Sequence, residues 1–104
     1  MATPELAAMK ISIIGIPWYT QRDWPRIREI MIDPDSLPPT YEKWLYRANK
    51  IVQNATHKGI VVYKVQIDPK AFPAWCRSRG LNIDGNARTE FADLHAIGMH
   101  REKH

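Results

Sequence analysis

The segment "TYEKWLYRANKIVQNATHKGIVVYKVQI" (Thr40 to Ile67) carries the longest regular patterns of the chain and decides the fold class. Its first part predicts a long helix, because Thr40 is a good N-cap residue and Gly59 stands where a left-handed C-terminal residue is needed. Between them lies an apolar stripe with helical spacing, formed by Tyr41, Trp44, Leu45, Ala48, Ile51, Val52 and Ala55. Ile60 to Ile67 is β-branched and partly alternating, which predicts a strand directly after the helix.

The residues before this segment predict a second strand and a short helix. Lys10 to Ile16 is a continuous β-branched run, and Pro17 is expected to end its pairing. The short helix covers Asp23 to Ile32, with Asp23 as N-cap and Pro25 in the first turn.

The residues after it predict two more helices. Asp68 is expected to cap the first helix and Pro69 to take its first position, while Gly80 ends it. Pro73 disrupts a regular helix, so the helix either kinks there or begins only near Phe72 and Pro73. Asp84 caps the last helix, and residues 98–104 are expected to form a disordered tail.

The order is therefore β-α-α-β-α-α, an α+β fold with about four helices packed on a small two-stranded sheet. We expect one domain over residues 1–104, with residues 1–8 as a disordered leader and Met9 as an alternative start. Two strands alone make a marginal sheet, so we also expect a homodimer that pairs strand edges. The expected core is Ile13, Trp24, Ile27, Trp44, Leu45, Ala48, Ile51, Val52, Val61, Val65, Phe72, Trp75, Cys76, Phe91 and Leu94.

Composition narrows the class of protein. The apolar fraction of 44% and the charged fraction of 25% are those of a globular domain. A single cysteine and no recognisable signal peptide indicate a cytoplasmic protein, and the apolar run near the N-terminus is too short to span a membrane. The formal net charge of +4 permits an acidic partner without requiring one.

The sequence contains no recognisable catalytic or metal motif, so no catalytic residue, metal or cofactor is assigned. Cys76, the one thiol, falls on the apolar face of its predicted helix and is expected to lie in the core rather than to react. The four histidines, His57, His95, His100 and His104, are expected to be exposed polar residues rather than zinc ligands.

Two groups of residues are candidates for binding a partner. The first is the basic face of the long helix, formed by Lys43, Arg47, Lys50, His57 and Lys58, which Arg77, Arg79 or Arg88 would extend if their helices pack beside it. The second is the loop with Trp18, Tyr19 and Arg22, because exposed aromatic residues beside arginine are typical of binding hot spots.

Three segments, "GIPWYTQRDWPRI", "PPTYEKWL" and "VQIDPKAFPAWCRSRGLNIDGNARTEFA", resemble a group of small bacterial proteins. That group shares IPWY, YxxWL and DPxxFxxWCxxxGL segments, and the resemblance covers roughly Ile16 to Ala92. The group has no established activity, so the resemblance implies a bacterial cytoplasmic origin and transfers no catalytic residue.

Three function hypotheses follow. The leading one is a non-enzymatic protein-interaction module, based on the density of aromatic residues and the lack of a catalytic constellation. The alternative is a nucleic-acid-binding accessory protein that uses the basic face of the 40–58 helix. The third is an enzyme that uses Cys76 or a histidine.

Overall fold

The computed structural model describes residues 12–103. Its elements are β1 (Ile13–Trp18), α1 (Trp24–Ile30), a 3₁₀ turn (Pro34–Ser36), α2 (Tyr41–His57), β2 (Val61–Gln66), α3 (Ala71–Ser78) and α4 (Gly85–Lys103). Four helices and a two-stranded sheet in the order β-α-α-β-α-α confirm the predicted α+β fold. The expected leader, residues 1–8, and the start of the predicted first strand lie outside the described residues.

The two strands run parallel, and their register extends from Ile13 opposite Val61 to Trp18 opposite Gln66. Pro17 lies within this ladder opposite Val65, so the prediction that it ends the pairing is wrong. The amide of Ile67 donates to the carbonyl of Trp18. The backbone N–H and C=O groups of the even-numbered residues of β1 therefore point toward β2, and those of the odd-numbered residues point away from it. The nitrogen of Pro17 therefore faces the outer edge, where a missing N–H removes no ladder hydrogen bond.

Helix α4 lies close against β1 at Gly15. A Cβ atom built on Gly15 would lie 2.1 Å from the carbonyl oxygen of Ala92 and 2.9 Å from the Cβ of Ala96. Both alanines are buried. The amide of Gly15 also donates to Asp93 Oδ1 at 3.3 Å. Glycine on the strand and alanines on the helix therefore let the two backbones approach more closely than larger side chains permit.

The ends of the long helix follow the prediction. The Thr40 hydroxyl accepts a hydrogen bond from the amide of Lys43 at 3.2 Å, and Gly59 has a φ of 81°. The amide of Ile60 then reaches back to the carbonyl of Ala55 at 3.0 Å, which completes a Schellman motif. The chain enters β2 directly from this turn.

Helix α3 begins at Ala71, close to the later start near Phe72 and Pro73 that the sequence allowed, and not at Pro69. Asp68 Oδ2 accepts hydrogen bonds from the amides of Lys70 and Ala71 at 2.9 and 2.7 Å, and Lys70 rather than Asp68 occupies the N-cap position. Pro69 therefore precedes the helix, and Pro73 is its third residue. Amides of the first turn have no acceptor within the helix, so Pro73 fits there without a lost bond.

The core is one cluster that joins the sheet to all four helices. It includes Phe72 and Cys76 of α3, both fully buried as predicted for the thiol. Two expected core residues lie on the surface instead: Ile51 is 51% exposed and Leu94 is 43% exposed. Leu94 is two positions from buried Ala92, which places it about 200° around α4 on the solvent side.

The bounds of α1 and the C-terminal end of α4 differ from the prediction. Asp23 takes the N-cap position of α1 without a capping hydrogen bond from its side chain, and α1 ends at Ile30. Residues 98–103 continue α4 where a disordered tail was predicted. Met99 packs against the core and His100 Nδ1 lies 2.7 Å from the Tyr63 hydroxyl, so these contacts hold the last turns against β2.

Candidate functional site

The aromatic loop after β1 does not form an exposed cluster. Tyr19 is 1% exposed and belongs to the core, and its ring lies 4.8 Å from that of Trp44. Trp18 is half-buried, with Lys64 Nζ 4.4 Å from its ring centroid. Arg22 is exposed and pairs with Asp23 at 3.4 Å. Tyr19 is therefore inaccessible to a partner, whereas Trp18 is accessible in part and Arg22 is exposed.

The structure places the predicted basic residues of α2 together on one exposed face of the helix. Lys43, Arg47, Lys50, His57 and Lys58 are all exposed. At 100° per residue they fall within an arc of roughly 100°. The ion pairs found in residues 12–103 are Arg22 with Asp23 and Arg26 with Glu29, so the basic face has no carboxylate partner within that part of the chain.

Two exposed apolar residues flank this basic face. Tyr46 is 65% exposed on one side and Ile51 is 51% exposed on the other. Lys50 Nζ lies 5.3 Å from the centroid of the Tyr46 ring. Tyr46 was not among the predicted binding residues, although its position four residues before Lys50 and outside the apolar stripe indicates an exposed ring beside a cation.

Of the arginines expected to extend the basic face, the structure brings Arg88 beside Arg47. These two line one groove of about 280 Å³, enclosed by β1, the segment 36–38, α2 and α4. Arg77 instead lines a separate groove with Arg26 and Lys70, while Arg79 stacks over Trp75 at 4.9 Å.

Arg88 is nearly buried and binds two neutral hydroxyl groups. Its Nη1 donates to the hydroxyl of Tyr19, and its Nη2 donates to Ser36 Oγ at 2.9 Å. Burial raises the pKa of Tyr19, and the positive charge of Arg88 opposes that shift. The Nε atom of Arg88 is buried and has no hydrogen-bond partner in the described part of the chain.

Cys76 does not have the surroundings of a reactive thiol. Its side chain is fully buried, and burial raises its pKa, with the negative charge of Asp84 as the next contribution. A raised pKa disfavours the thiolate, which is the nucleophilic form. His95 stacks on Phe91 at 3.9 Å, and His100 contacts the Tyr63 hydroxyl.

The described residues contain no group of three or more histidine, cysteine or acidic side chains arranged to hold a metal ion. Within residues 12–103, no helix combines the length and apolar character needed to cross a membrane. No protein-family model, curated protein or solved structure matches the chain. The resemblance to the small bacterial group therefore stays a prediction.

Proposed function

We propose that this chain is a non-enzymatic protein-interaction module whose partner presents an acidic segment with apolar side chains to the basic face of α2. The proposal is carried by one observation on α2 and its C-cap residue. Five exposed basic residues there have no ion pair in residues 12–103, and the exposed side chains of Tyr46 and Ile51 lie beside them. The proposal keeps the cytoplasmic location and the homodimer that the sequence predicts.

The mixture of charge and apolar area favours a protein partner. Exposed cations attract an acidic surface over a distance of about a Debye length and raise the rate of association. Tryptophan, tyrosine and arginine are enriched among the side chains that contribute most to protein interfaces. Helix α2 exposes Tyr46 beside Lys50, and Arg47 about 100° further around the helix. Ile51 offers an aliphatic contact, for which a phosphate backbone has no counterpart.

A single-stranded nucleic acid is the second candidate, because Tyr46 is an exposed ring among cations. Stacking of a base on an aromatic side chain contributes about 1–3 kcal/mol, and nearby lysines neutralise phosphates. On this alternative Tyr46 is essential and Ile51 is not.

The test compares two fluorescein-labelled probes by anisotropy: a peptide of alternating glutamate and leucine, and a thymidine 20-mer. We expect the peptide to bind more tightly at physiological salt. The double variant Lys43→Glu/Lys50→Glu should weaken peptide binding at least tenfold. The control Lys70→Glu/Arg101→Glu, which lowers the net charge equally, should leave it nearly unchanged.

A further substitution separates the two candidates. Ile51→Ser should weaken peptide binding about tenfold through lost apolar contact and leave oligonucleotide binding unchanged. Equal effects of the two charge-reversal pairs would mean that net charge rather than the α2 face attracts the probe, and the proposal would fail. Tighter binding of the oligonucleotide would favour the second candidate.

A further inference from the structure

We propose that the groove lined by Arg47 and Arg88 is a binding site for a small organic anion, in which a carboxylate or phosphate group carried on an apolar body pairs with the buried guanidinium of Arg88. This groove adjoins the exposed face of α2 and shares Arg47 and Ile51 with it, whereas Lys43 and Lys50 lie outside the groove. The inference does not depend on the proposed function.

Arg88 is a buried charge without an ion-pair partner among residues 12–103. Arg88 is 9% exposed, and arginine remains protonated at any physiological pH. Taking a charge out of water is unfavourable unless an opposite charge and hydrogen bonds compensate for it. Here the two hydrogen-bond acceptors, Tyr19 and Ser36, are neutral, and no ion pair of Arg88 occurs among residues 12–103.

Asp33 is a carboxylate near Arg88 that does not form an ion pair with it. A Cβ atom on Gly85 would lie 3.2 Å from Arg88 Nη2 and 3.4 Å from Asp33 Oδ2, so both groups border the same glycine. Asp33 Oδ2 instead accepts a hydrogen bond from the amide of Gly85 at 3.0 Å. The charge of Asp33 reduces the local positive potential, but the Nε donor of Arg88 stays unsatisfied.

The groove combines positive charge with apolar walls. Arg47 places a second guanidinium on the groove, and the hydroxyl-bearing residue Thr89 lines it beside Arg88. The remaining walls are mostly apolar and include Ile16, Leu37 and Trp44. Guanidinium groups match carboxylate and phosphate oxygens in charge and geometry. A volume of about 280 Å³ is at the small end of ligand sites and suits a molecule built on a single ring.

The experiment follows the Arg88 Nε–Hε signal by ¹⁵N NMR while benzoate, phenyl phosphate or benzamide is added to the full chain. We expect a saturable shift with at least one of the two anions and none with benzamide, the uncharged analogue of benzoate. Comparison of benzoate with phenyl phosphate identifies which oxyanion the site prefers. The absence of a saturable shift with either anion at millimolar concentration would overturn the inference, as would an equal shift with benzamide.

Variants then locate the site, with the Trp44 indole signal as the reporter. Arg88→Gln should weaken binding of the preferred anion at least tenfold, because it removes a charged hydrogen-bond donor. Arg47→Gln changes an exposed residue, leaves the core intact and should weaken binding several-fold even if Arg88→Gln does not fold. Arg77→Gln is the matched control and should have no effect.

The outcomes also separate this site from the proposed function. Lys43→Glu/Lys50→Glu should leave the Arg88 signal responsive to the anion while it weakens binding of the acidic peptide. If Arg47→Gln leaves the anion affinity unchanged, or if Arg47→Gln and Arg77→Gln lower it equally, the inference is refuted. Neither result bears on whether the acidic peptide binds to α2.

Discussion

Gly15→Ala is the substitution that most directly tests how α4 lies on the sheet. The added methyl group would begin 2.1 Å from the carbonyl oxygen of Ala92 and 2.6 Å from its carbonyl carbon. These are backbone atoms, so a change of rotamer cannot relieve the contact. To reach an ordinary separation of at least 3.4 Å from that oxygen, helix or strand must shift as a unit.

The expected cost follows from the contacts that such a shift breaks. Overpacking of a close-packed core costs typically 1–3 kcal/mol and sometimes more. The fully buried side chain of Ala92 and the hydrogen bond from Gly15 to Asp93 also lose their native geometry, and a lost hydrogen bond contributes about 1 kcal/mol. We therefore expect Gly15→Ala to lower the free energy of unfolding by about 3 kcal/mol, a large fraction of the ~5–15 kcal/mol of a typical domain.

Urea denaturation followed by tryptophan fluorescence measures this change. The control is Gly98→Ala in α4, where an added Cβ atom meets nothing within 4 Å. Alanine is the better helix former, so this control should raise stability by about 0.5–1 kcal/mol. If the free energy of unfolding of Gly15→Ala lies within about 0.5 kcal/mol of that of the unmodified chain, α4 does not pack on β1 at this distance and the reasoning is refuted.

Three further predictions concern other parts of the fold. In native protein at pH 7, Cys76 should react with a thiol reagent only as fast as the protein unfolds, and rapid labelling without unfolding would contradict its burial. Lys64→Pro should leave the β1–β2 ladder intact, because the Lys64 amide faces the outer edge of β2. The same substitution should dissociate a homodimer joined through β2, which light scattering measures, and a dimer that persists would require another interface. Amide hydrogen bonds from Ala71 and Lys70 lower the pKa of Asp68, so the native chain should be more stable than Asp68→Asn at neutral pH and should lose this advantage as the pH falls below the ordinary pKa of 3.8. Urea titrations at several pH values measure the difference, and an advantage that grows in acid would mean that the pKa of Asp68 is not lowered by folding.

The parts of the fold that the sequence predicted well are those determined by neighbouring residues. Thr40 and Gly59 define the ends of α2 through caps that span only a few positions, and Asp84 caps α4 in the same way. Pro17 and Pro73 were harder. Whether a proline costs a hydrogen bond depends on which edge its nitrogen faces or on where the helix begins, and both are set by tertiary structure.

The candidate groove was beyond prediction for the same reason. Arg88 contacts Tyr19 across 69 positions of sequence and Ser36 across 52, so no local pattern indicates that the three meet. From the sequence, Arg88 was predicted to extend the face of α2 if its helix packs beside it, and no local pattern indicated that Arg88 is buried. The exposed residues of that face follow directly from helical periodicity and required no tertiary information.

Stability and the groove are linked through α4. Arg88 lies one turn before Ala92, and residues four positions apart share one face of a helix. Gly15 therefore permits the close approach at Ala92 that also brings Arg88 to Tyr19. A shift of α4 in Gly15→Ala should disturb the Arg88 Nε–Hε signal even in samples that remain folded, whereas Gly98→Ala should not. If the Arg88 signal and its response to benzoate or phenyl phosphate are unchanged in folded Gly15→Ala, the position of Arg88 is set by its own contacts with Tyr19 and Ser36 rather than by the packing of α4 on β1.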